Sequence, residues 1–479
     1  MSHSFPTRPR LADHVLARRH ITGGEAVIVL HDQRTGRLVQ LGPREWGLLA
    51  AADGTRDLDG VILAARREGA HVRVAALRAF LEQLHGADLL ADGTPDDTPA
   101  EAPAGESPPA SESLPPDRPL DVLSDFSLHC DGSGSCCRIY ASVIFGPVEA
   151  ARARSLFPDI QGGGDRHERV FLPDHGSAPT GGSAVTLVDG RCAYLGESGH
   201  CSIHARAGGP AKPIGCTLFP ASFLDDGERI AVSASVECAC ILASVGRPGG
   251  YLLIAPEARF RGDLDPSVFI ASLPTRLAVT RSVSANRSEI RGWSRRIEAL
   301  SPPLDVARTL WSLAAAIDEH GLSASPTLAF EAPPAIAPSE THPWIEALAH
   351  RAARRVREDA VWRSDRDLAR LCSSWIAEAA EALLSSKAIP PPAAPASEAF
   401  YLRAALHGYK LFTDLPLTIA LRDRAVRLLV ARALPDVFAR TGATDPACAH
   451  PLALVEAMLR GHGLDAYAHE LERVYVDSP

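Results

Sequence analysis

The spacing of hydrophobic positions in the first hundred residues predicts two strands and then three short helices. Two apolar runs flank the polar segment 31–36, and Gly36 can adopt the positive φ that the turn of a hairpin needs. Three later segments repeat apolar residues at three and four positions, which is the spacing of one helix face. The predicted elements are strands at 26–30 and 37–41, helices at 44–52, 58–67 and 72–84, and a closing strand at 87–91.

The C-terminal part of the chain has a helical pattern almost throughout. Its clearest apolar stripe contains Leu368, Cys372, Trp375 and Leu383, so Cys372 is expected in a core, and Cys448 is expected to be structural as well. This half has no phosphate-binding loop, no dinucleotide motif and no nucleophile–base signature. The predicted helices cover 288–300, 304–320, 343–362, 365–384, 398–412, 416–434 and 452–459.

The composition changes between these two regions. Residues 93–118 are rich in proline, serine and acidic residues and have little to bury, which predicts a disordered or semi-extended tether. The sequence therefore predicts a multidomain α+β protein with a winged-helix-like N-terminal domain, a loop-rich cysteine domain and an all-α C-terminal domain. The predicted boundaries are 1–92 for the first domain, 93–119 for the linker, 120–250 for the cysteine domain and 251–479 for the helical domain.

Composition and charge narrow the class of protein. The chain has 479 residues, 46% of them hydrophobic, and a formal net charge of −9, so neither nucleic acid nor an anionic membrane is an expected partner. No run approaches the ~18 apolar residues of a membrane span, and the Arg-rich N-terminus lacks the apolar core of a signal peptide. A cytoplasmic location is expected, where clustered cysteines are ligands or redox centres more often than structural disulfides.

Eight of the ten cysteines lie in one stretch of the middle region. Thiolates at this density bind zinc, iron or iron–sulfur clusters. The glycines between Cys130 and Cys136 let the backbone wrap so that several sulfurs converge, and eight sulfurs can fill two sites of four ligands. Structural zinc, disulfides and inert core thiols are the alternatives. The candidate metal ligands are Cys130, Cys136, Cys137, Cys192, Cys201, Cys216, Cys238 and Cys240.

Four short patterns in the N-terminal region are Val27-Ile-Val-Leu30, Asp32-x-x-Thr-Gly36-x-Leu38-x-x-Leu41, Gly54-Thr55 and Leu84-x-Gly86-x-x-Leu89-Leu90. In these patterns the region resembles the PqqD-like domain, also called the RiPP recognition element. The resemblance implies a module that binds the leader segment of a ribosomally made peptide. The leader would add as an extra strand at the edge of the sheet, in a groove against the third helix.

A purely structural domain and a DNA-binding winged helix are the alternatives for this region. A DNA-binding helix needs basic residues, because phosphate contacts supply most of its affinity. The third predicted helix carries Arg73 and Arg78 against Glu82, so the sequence favours peptide binding.

The middle region contains, in order, the motifs Cys-x5-Cys-Cys, Cys-x-x-Leu, Cys-Ser-Ile-His and Cys-x-x-Phe-Pro. In these motifs it resembles the YkgJ-type cysteine-cluster family, described as zinc- or iron-chelating. It is also similar to the flagellin lysine N-methylase, a relative with an iron–sulfur cluster that uses S-adenosylmethionine. The resemblance implies metal ligation by Cys130, Cys136, Cys137, Cys192, Cys201 and Cys216, and less directly by Cys238.

The sequence also departs from these families. Cys238 is not followed by Pro-Glu, Cys240 is additional, and Thr217 stands where arginine is common. These departures bear on the methylase reaction more than on the metal site.

The expected function is that of a metal- or iron–sulfur-binding protein that modifies a ribosomally made peptide or protein captured by its N-terminal domain. The expected cofactor is a [4Fe–4S] cluster or a zinc or iron ion. S-adenosylmethionine-dependent lysine N-methylation is the most concrete version, although the sequence identifies no cofactor site and no catalytic residue. One alternative is a non-enzymatic, zinc-stabilised adaptor that delivers a precursor peptide to a partner enzyme. The other is a metal storage or delivery protein.

Overall fold

The computed structural model describes residues 5–32, 37–67, 73–93, 117–131, 134–139, 144–157, 183–266, 268–331, 333–362, 366–386, 388–412, 415–445, 450–459, 471 and 473–475. Over these residues the protein mixes α-helices with several small β-sheets. None of their helices combines the length and the apolar character that a membrane crossing requires. Cys448 and most of the predicted linker lie outside the described residues.

The strands are β1 (Pro9–Leu11), β2 (Val15–Thr22), β3 (Glu25–Asp32), β4 (Leu38–Leu41), β5 (Leu90–Asp92), β6 (Leu120–Val122), β7 (Ile144–Phe145), β8 (Ser183–Ala184), β9 (Leu187–Val188), β10 (Arg191–Cys192), β11 (Ala221–Asp225), β12 (Ile230–Ala234), β13 (Ala271–Ser272), β14 (Arg276–Ala278) and β15 (Ser284–Asn286).

The helices are α1 (Pro43–Ala50), α2 (Leu58–Arg67), α3 (Val74–Gly86), α4 (Ser135–Ile139), α5 (Pro147–Leu156), α6 (Ser202–Ala207), α7 (Ile214–Leu218), α8 (Ala239–Ala243), α9 (Arg287–Glu298), α10 (Val306–His320), α11 (Thr327–Glu331), α12 (Pro338–Trp362), α13 (Arg366–Ser385), α14 (Pro395–His407), α15 (Leu417–Thr441) and α16 (Pro451–Leu459).

The chain folds into two compact units, each assembled from distant segments. Unit 1 comprises Met1–Glu112, Tyr140–Thr217 and Glu358–Arg366, and unit 2 comprises Ser113–Ile139, Leu218–Arg357 and Asp367–Pro479. The domain boundaries expected from the sequence stay a prediction.

The main sheet of unit 1 has the strand order β10-β9-β2-β3-β4. Its centre is the long antiparallel pair β2–β3, which is joined by Gly23 and Gly24 at φ of 57° and 83°. A two-residue hairpin turn of this kind needs a positive φ at both central positions, which glycine adopts without strain. Strand β9 adds in parallel to β2, with His20 opposite Leu187. The N-terminal hairpin and the cysteine-bearing strand β10 thus belong to one sheet.

Both faces of this sheet are covered. Through Ala17 and Leu30, one face packs against helices α1, α2 and α3 in a single hydrophobic cluster. Through Leu16 and Val29, the other face packs against Ala184. Alternating residues of each strand therefore enter different cores, as the two-residue repeat of a strand requires.

The structure confirms the predicted hairpin as β3–β4, and it confirms the predicted helices α1, α2 and α3 and the closing strand β5 with small shifts at their ends. The sequence did not predict β1 or β2. Arg18, Arg19 and His20 interrupt the apolar pattern of β2, yet each is at most 8% exposed. Their burial depends on tertiary contacts that a local pattern does not reveal.

Unit 2 contains a four-stranded sheet of order β13-β11-β12-β6 and the long C-terminal helices. Strand β12 is buried along its whole length, and the hydroxyl of its Ser233 donates a 2.7 Å hydrogen bond to the Ala404 carbonyl of α14. Gly408 follows that helix at a point where a Cβ atom would lie 2.7 Å from Ser233, so the close approach requires glycine.

The predicted C-terminal helices are confirmed in α9, α10 and α12 to α16. Three predicted ends are wrong by five residues or more: α12 begins at Pro338 instead of 343, α14 ends at His407 instead of 412, and α15 continues through Pro435 to Thr441 instead of stopping at Leu434. An internal proline removes one backbone hydrogen bond, but Leu434 and Val437 on either side of it are fully buried, and their packing keeps the helix intact. Cys372 is 1% exposed, which confirms its predicted place in the core.

Candidate metal centre

Three cysteines and one aspartate from two distant segments meet in unit 2. The thiol of Cys240 is in hydrogen-bond contact with those of Cys130 and Cys238, and its Sγ donates to Oδ1 of Asp131 at 3.3 Å. Ligand atoms of Cys130, Asp131 and Cys240 all lie within 4.8 Å of one another, and Cys238 touches the Cys240 thiol but is outside this described group. These four residues are called the Cys240 cluster below.

A serine holds the two segments of the Cys240 cluster together. The backbone N–H of His129 donates to Oγ of Ser244 at 2.8 Å, and this hydroxyl donates to the carbonyl oxygen of Cys240 at 2.5 Å. Ser244 is 1% exposed, so water does not compete for these bonds. The side chain therefore fixes the backbone beside Cys130 relative to the backbone of Cys240.

A backbone ladder next to the cluster reinforces this link. Leu128 and Tyr251 exchange two backbone hydrogen bonds, of 3.0 and 2.9 Å. Gly250 passes so close to this ladder that a Cβ atom there would lie 2.5 Å from the Leu128 carbonyl oxygen. The Nε2 atom of His129 lies 3.2 Å from the Pro248 carbonyl oxygen, which can only accept, so Nε2 carries a proton.

The thiol of Cys240 is neutral before a cation binds. The hydrogen bond with Cys130 lowers the pKa of Cys240, but the bond with Cys238 and burial outweigh it and raise the pKa to about 12. A metal ion would displace this proton, because thiolate is the ligand form of cysteine. Cys130 and Asp131 are exposed, whereas Cys238 is 7% exposed. One side of the cluster therefore faces solvent.

The next two cysteines along the chain, Cys136 and Cys137, belong to helix α4. Arg138 anchors this short helix through a two-pronged ion pair with Asp445, at 3.0 and 2.9 Å. Cys137 is half-buried and does not belong to the described group of ligand atoms within 4.8 Å. The side chain of Cys136 lies outside the described part of the chain.

Unit 1 contains a second pair of neighbouring thiols, Cys192 and Cys201, called the Cys192 pair below. The two sulfurs are close enough to interact electrostatically. The loop between them is closed by the 2.8 Å hydrogen bond from the Ser202 N–H to the Tyr194 carbonyl and by a β-bridge between Leu195 and Cys201. Both cysteines pack against the hydrophobic cluster that contains Tyr194.

The surroundings of the Cys192 sulfur have two opposing effects on the pKa of its thiol. Although the residue as a whole is half-buried, its sulfur lies in the interior, and this burial raises the pKa of Cys192 to about 11. The backbone N–H groups of Tyr194 and Leu195 lie near the sulfur and act in the opposite direction, because they favour the thiolate.

A buried arginine lies beside this pair. Arg18 of β2 is 0% exposed, and its guanidinium interacts electrostatically with Cys192. Burial lowers the pKa of Arg18 to about 10, and Cys192 acts against this shift. The arginine therefore remains a cation at neutral pH.

Cys216 is in unit 1 on helix α7. The start of that helix is held by Glu149, whose Oε1 accepts from the Ile214 N–H at 2.6 Å, while Oε2 accepts from the Gly146 N–H at 2.8 Å. Among the described residues, no third ligand atom joins the Cys192 pair within 4.8 Å. The assignment of all eight cysteines as metal ligands stays a prediction.

Three residues of these sites were not identified from the sequence. Asp131 follows Cys130 in a glycine-rich loop, and that adjacency to a cysteine motif was an available signal. Arg18 belongs to the run Arg18-Arg19-His20, which interrupts the apolar pattern and carries no such signal. Ser244 has no such signal, because its role depends on a contact with a residue 115 positions away.

The ligand atoms of the Cys240 cluster suit a borderline or soft cation. Three sulfurs and a carboxylate oxygen are ligands that zinc and iron accept, and sulfur ligands disfavour magnesium and calcium. The chemistry of these side chains therefore fits the metal that the cysteine pattern predicts. No protein-family model, curated protein or solved structure matches the chain.

Proposed function

We propose that the protein binds a metal ion or an iron–sulfur cluster through its cysteines and modifies a ribosomally made peptide or protein that its N-terminal domain captures. The observation that carries the proposal is the convergence of Cys130, Asp131 and Cys240, with Cys238 against the thiol of Cys240. Sulfurs from segments more than a hundred positions apart are held there by a dedicated backbone link through Ser244. Such an arrangement favours a metal centre over inert core thiols.

The exposure of the Cys240 cluster favours a centre that meets a substrate. Structural zinc sites are closed by four protein ligands, whereas reactive centres keep an accessible position. Cys130 and Asp131 are exposed, and a carboxylate is a more readily exchanged ligand than a thiolate. This supports a reactive role for the cluster.

The strand order of unit 1 supports peptide capture. The first edge of the three-stranded N-terminal sheet is covered, because β9 pairs with β2. At the opposite edge, β4 pairs with β3 alone among the described strands. A peptide that adds as a strand needs an edge of this kind. The edge of β4 is called the open edge below.

The register of β4 identifies the backbone groups that a peptide would use. Asp32 donates a 2.9 Å hydrogen bond to Arg37 and marks a hydrogen-bonded pair. In an antiparallel ladder hydrogen-bonded and non-hydrogen-bonded pairs alternate. Leu38 and Gln40 therefore form non-hydrogen-bonded pairs with β3, and their backbone N–H and C=O groups point to the open edge.

The resemblance to the lysine methylase supplies the reaction to be tested first. It would transfer a methyl group from S-adenosylmethionine to a lysine of the captured substrate. The PqqD-like resemblance supplies the class of partner, a precursor peptide with a leader segment.

A zinc-stabilised adaptor is the second candidate function. The Cys192 pair favours it, because the sulfur of Cys192 lies in the interior, as expected of a structural site. In that case the protein would carry the peptide to a separate enzyme.

Anaerobic purification followed by iron, zinc and sulfide analysis tests the proposal. Iron with acid-labile sulfide and a visible absorption band supports the reactive centre, whereas a colourless protein with stoichiometric zinc supports the adaptor. The variant C130S/C240S should lose metal, and C372S, which changes a core cysteine, should retain it. A protein without stoichiometric metal in any preparation would contradict the proposal.

A further inference from the structure

The main sheet of unit 1 connects the N-terminal hairpin directly to the Cys192 pair. Strand β9 pairs with β2 on one side and with β10 on the other, and the last residue of β10 is Cys192. Two more bonds fix this junction, from the Asp189 N–H to the Ile21 carbonyl at 2.8 Å and from the Gly23 N–H to Oδ1 of Asp189 at 3.1 Å. A change at Cys192 can therefore reach β2 through two strand pairings, β10–β9 and β9–β2.

Arg18 occupies the face of β2 that is turned towards this segment. It lies two positions after Leu16, which packs with Ala184, so the alternation of a strand places both side chains on that face. The guanidinium is 0% exposed and interacts with the sulfur of Cys192. Taking a cation out of water is costly unless an anionic group compensates it.

We propose that Arg18 is the buried counter-charge of a metal centre that includes Cys192 and Cys201, and that metal loading of this centre stabilises strand β2. The inference rests on the proposed function in that these cysteines must bind metal. Three or four thiolates around a divalent cation leave a negative centre, so Cys192 and Cys201 need at least one further cysteine ligand, and a buried guanidinium stabilises that negative charge. By linkage, the loaded centre stabilises the strand that positions the guanidinium.

The experiment uses the full-length chain with the Cys240 cluster inactivated by C130S/C240S, so that the remaining signal comes from the other cysteines. Apoprotein is titrated anaerobically with Co²⁺, whose thiolate complexes absorb in the near ultraviolet, and adding C192S/C201S shows that this signal belongs to the pair. In this background R18Q should weaken Co²⁺ binding about 10- to 100-fold, the range for groups that support metal ligands. R18K, which retains the charge, should lose less.

Arg19 provides the matched control. It is the next residue of the same strand and is 8% exposed, but alternation turns it to the opposite face. R19Q should therefore leave Co²⁺ affinity unchanged while altering fold stability to a similar degree as R18Q. Circular dichroism of each variant separates a folding defect from a binding defect.

A second measurement does not depend on any arginine variant. Hydrogen–deuterium exchange of residues 15–22 in the C130S/C240S protein should slow when Co²⁺ is added, and it should not slow once C192S/C201S is included. If R18Q fails to fold, this measurement decides.

The outcomes separate the inference from the proposed function. The inference is overturned if folded R18Q binds Co²⁺ as tightly as the C130S/C240S protein does. It is also overturned if hydrogen–deuterium exchange of β2 proceeds at the same rate with and without Co²⁺. Loss of all binding in C130S/C240S also overturns the inference while leaving the Cys240 cluster as the metal centre. A wild-type protein that binds no metal contradicts the proposed function itself.

Discussion

The Sγ atom of Cys240 donates a 3.3 Å hydrogen bond to Oδ1 of Asp131, although 109 positions separate the two residues. A thiol and a carboxylate at this distance can bind the same cation, since their ligand atoms lie within 4.8 Å of each other and of the Cys130 sulfur. The carboxylate distinguishes this cluster from a site made of cysteines alone. It also makes Asp131 the first residue to test.

Replacing Asp131 by asparagine should weaken binding of Zn²⁺ or Co²⁺ about tenfold, within the range seen when metal-supporting groups are changed. The amide keeps the size of the side chain but loses its charge. The measurement is an anaerobic Co²⁺ titration of D131N against wild type in a C192S/C201S background. D125N, an exposed aspartate of the same segment that pairs with Arg403, is the control and should bind normally. Equal affinity in D131N would show that the carboxylate is not a ligand.

Replacing Ser244 by alanine should reduce both metal retention and stability. The change removes the acceptor for the His129 N–H and the donor to the Cys240 carbonyl, and an unsatisfied buried group costs about 1–3 kcal/mol. Chelator extraction from the Cys240 cluster should be faster, and urea denaturation should show the loss of stability.

The control for S244A is S294A. Ser294 is 2% exposed and donates a 3.1 Å hydrogen bond to the Leu406 carbonyl in the same unit. S294A should lose stability without faster metal release. Similar release rates in both variants would mean that Ser244 affects the fold in general and not the cluster.

Replacing Gln40 by proline should block peptide capture at the open edge. The backbone N–H of Gln40 points away from β3, so proline removes a group that a peptide would bind while leaving the β3–β4 ladder in place. Affinity for the product of a short reading frame beside the gene should fall at least about tenfold, because several main-chain bonds give the affinity of an added strand. Fluorescence anisotropy with a labelled peptide measures it.

Q40A is the matched variant, since it removes the same side chain but keeps the N–H group. It should bind the peptide like wild type, and both variants should have melting temperatures near that of wild type. Loss of binding in Q40A and Q40P alike would point to a side-chain contact instead of strand addition.

Acid should destabilise unit 2 through a buried carboxylate. Burial alone would raise the pKa of Glu456, but Arg424 and Arg427 outweigh it and lower the pKa to about 2. Tyr401 adds a 2.7 Å hydrogen bond to the same carboxylate. Because the folded-state pKa is lowered, this carboxylate stabilises the fold at pH values above about 4.5, and that stability is lost as the pH falls towards 2.

The variant E456Q should therefore behave differently from wild type in acid. At pH 7 it should be about 3–5 kcal/mol less stable, because the arginines stay buried without their partner. Between pH 5 and pH 2 wild type should lose about 3 kcal/mol more than E456Q. Urea denaturation at several pH values measures both. E378Q, which removes an exposed ion pair with Arg440, should have the same free energy of unfolding as wild type at every pH. If E456Q and wild type lost equal stability between pH 5 and pH 2, the role assigned to Glu456 would be contradicted.

Sequence patterns predicted the local elements well and the long-range ones poorly. The apolar patterns of β3 and β4 and the stripe around Cys372 are local signals, and the structure confirms these elements, whereas Gly36 of the predicted turn lies outside the described residues. Strand β2 was not predicted, because its three consecutive polar residues are buried by segments far away in sequence. Helix α15 passes Pro435 for a similar reason, since packing on both sides outweighs one lost hydrogen bond.

The candidate site shows the same limit. Counting cysteines identified a metal-binding region, but it did not indicate that Cys130 would meet Cys240, or that Cys192 would face Cys201 in the other unit. Each of these meetings depends on the path of the chain between the residues. Motif spacing fixes that path within a loop such as 192–201, but not across a hundred residues.

The pairing of β9 with β2 affects how the protein can be divided. If the chain were cut after the N-terminal helices, the edge of β2 that pairs with β9 would be unpaired and could pair with another copy of the chain. The strands β9 and β10, which carry Cys192, would lose their neighbouring strand. A fragment ending near residue 92 would therefore be prone to self-association. The N-terminal sheet of this protein therefore cannot be transplanted without the strands at 187–192.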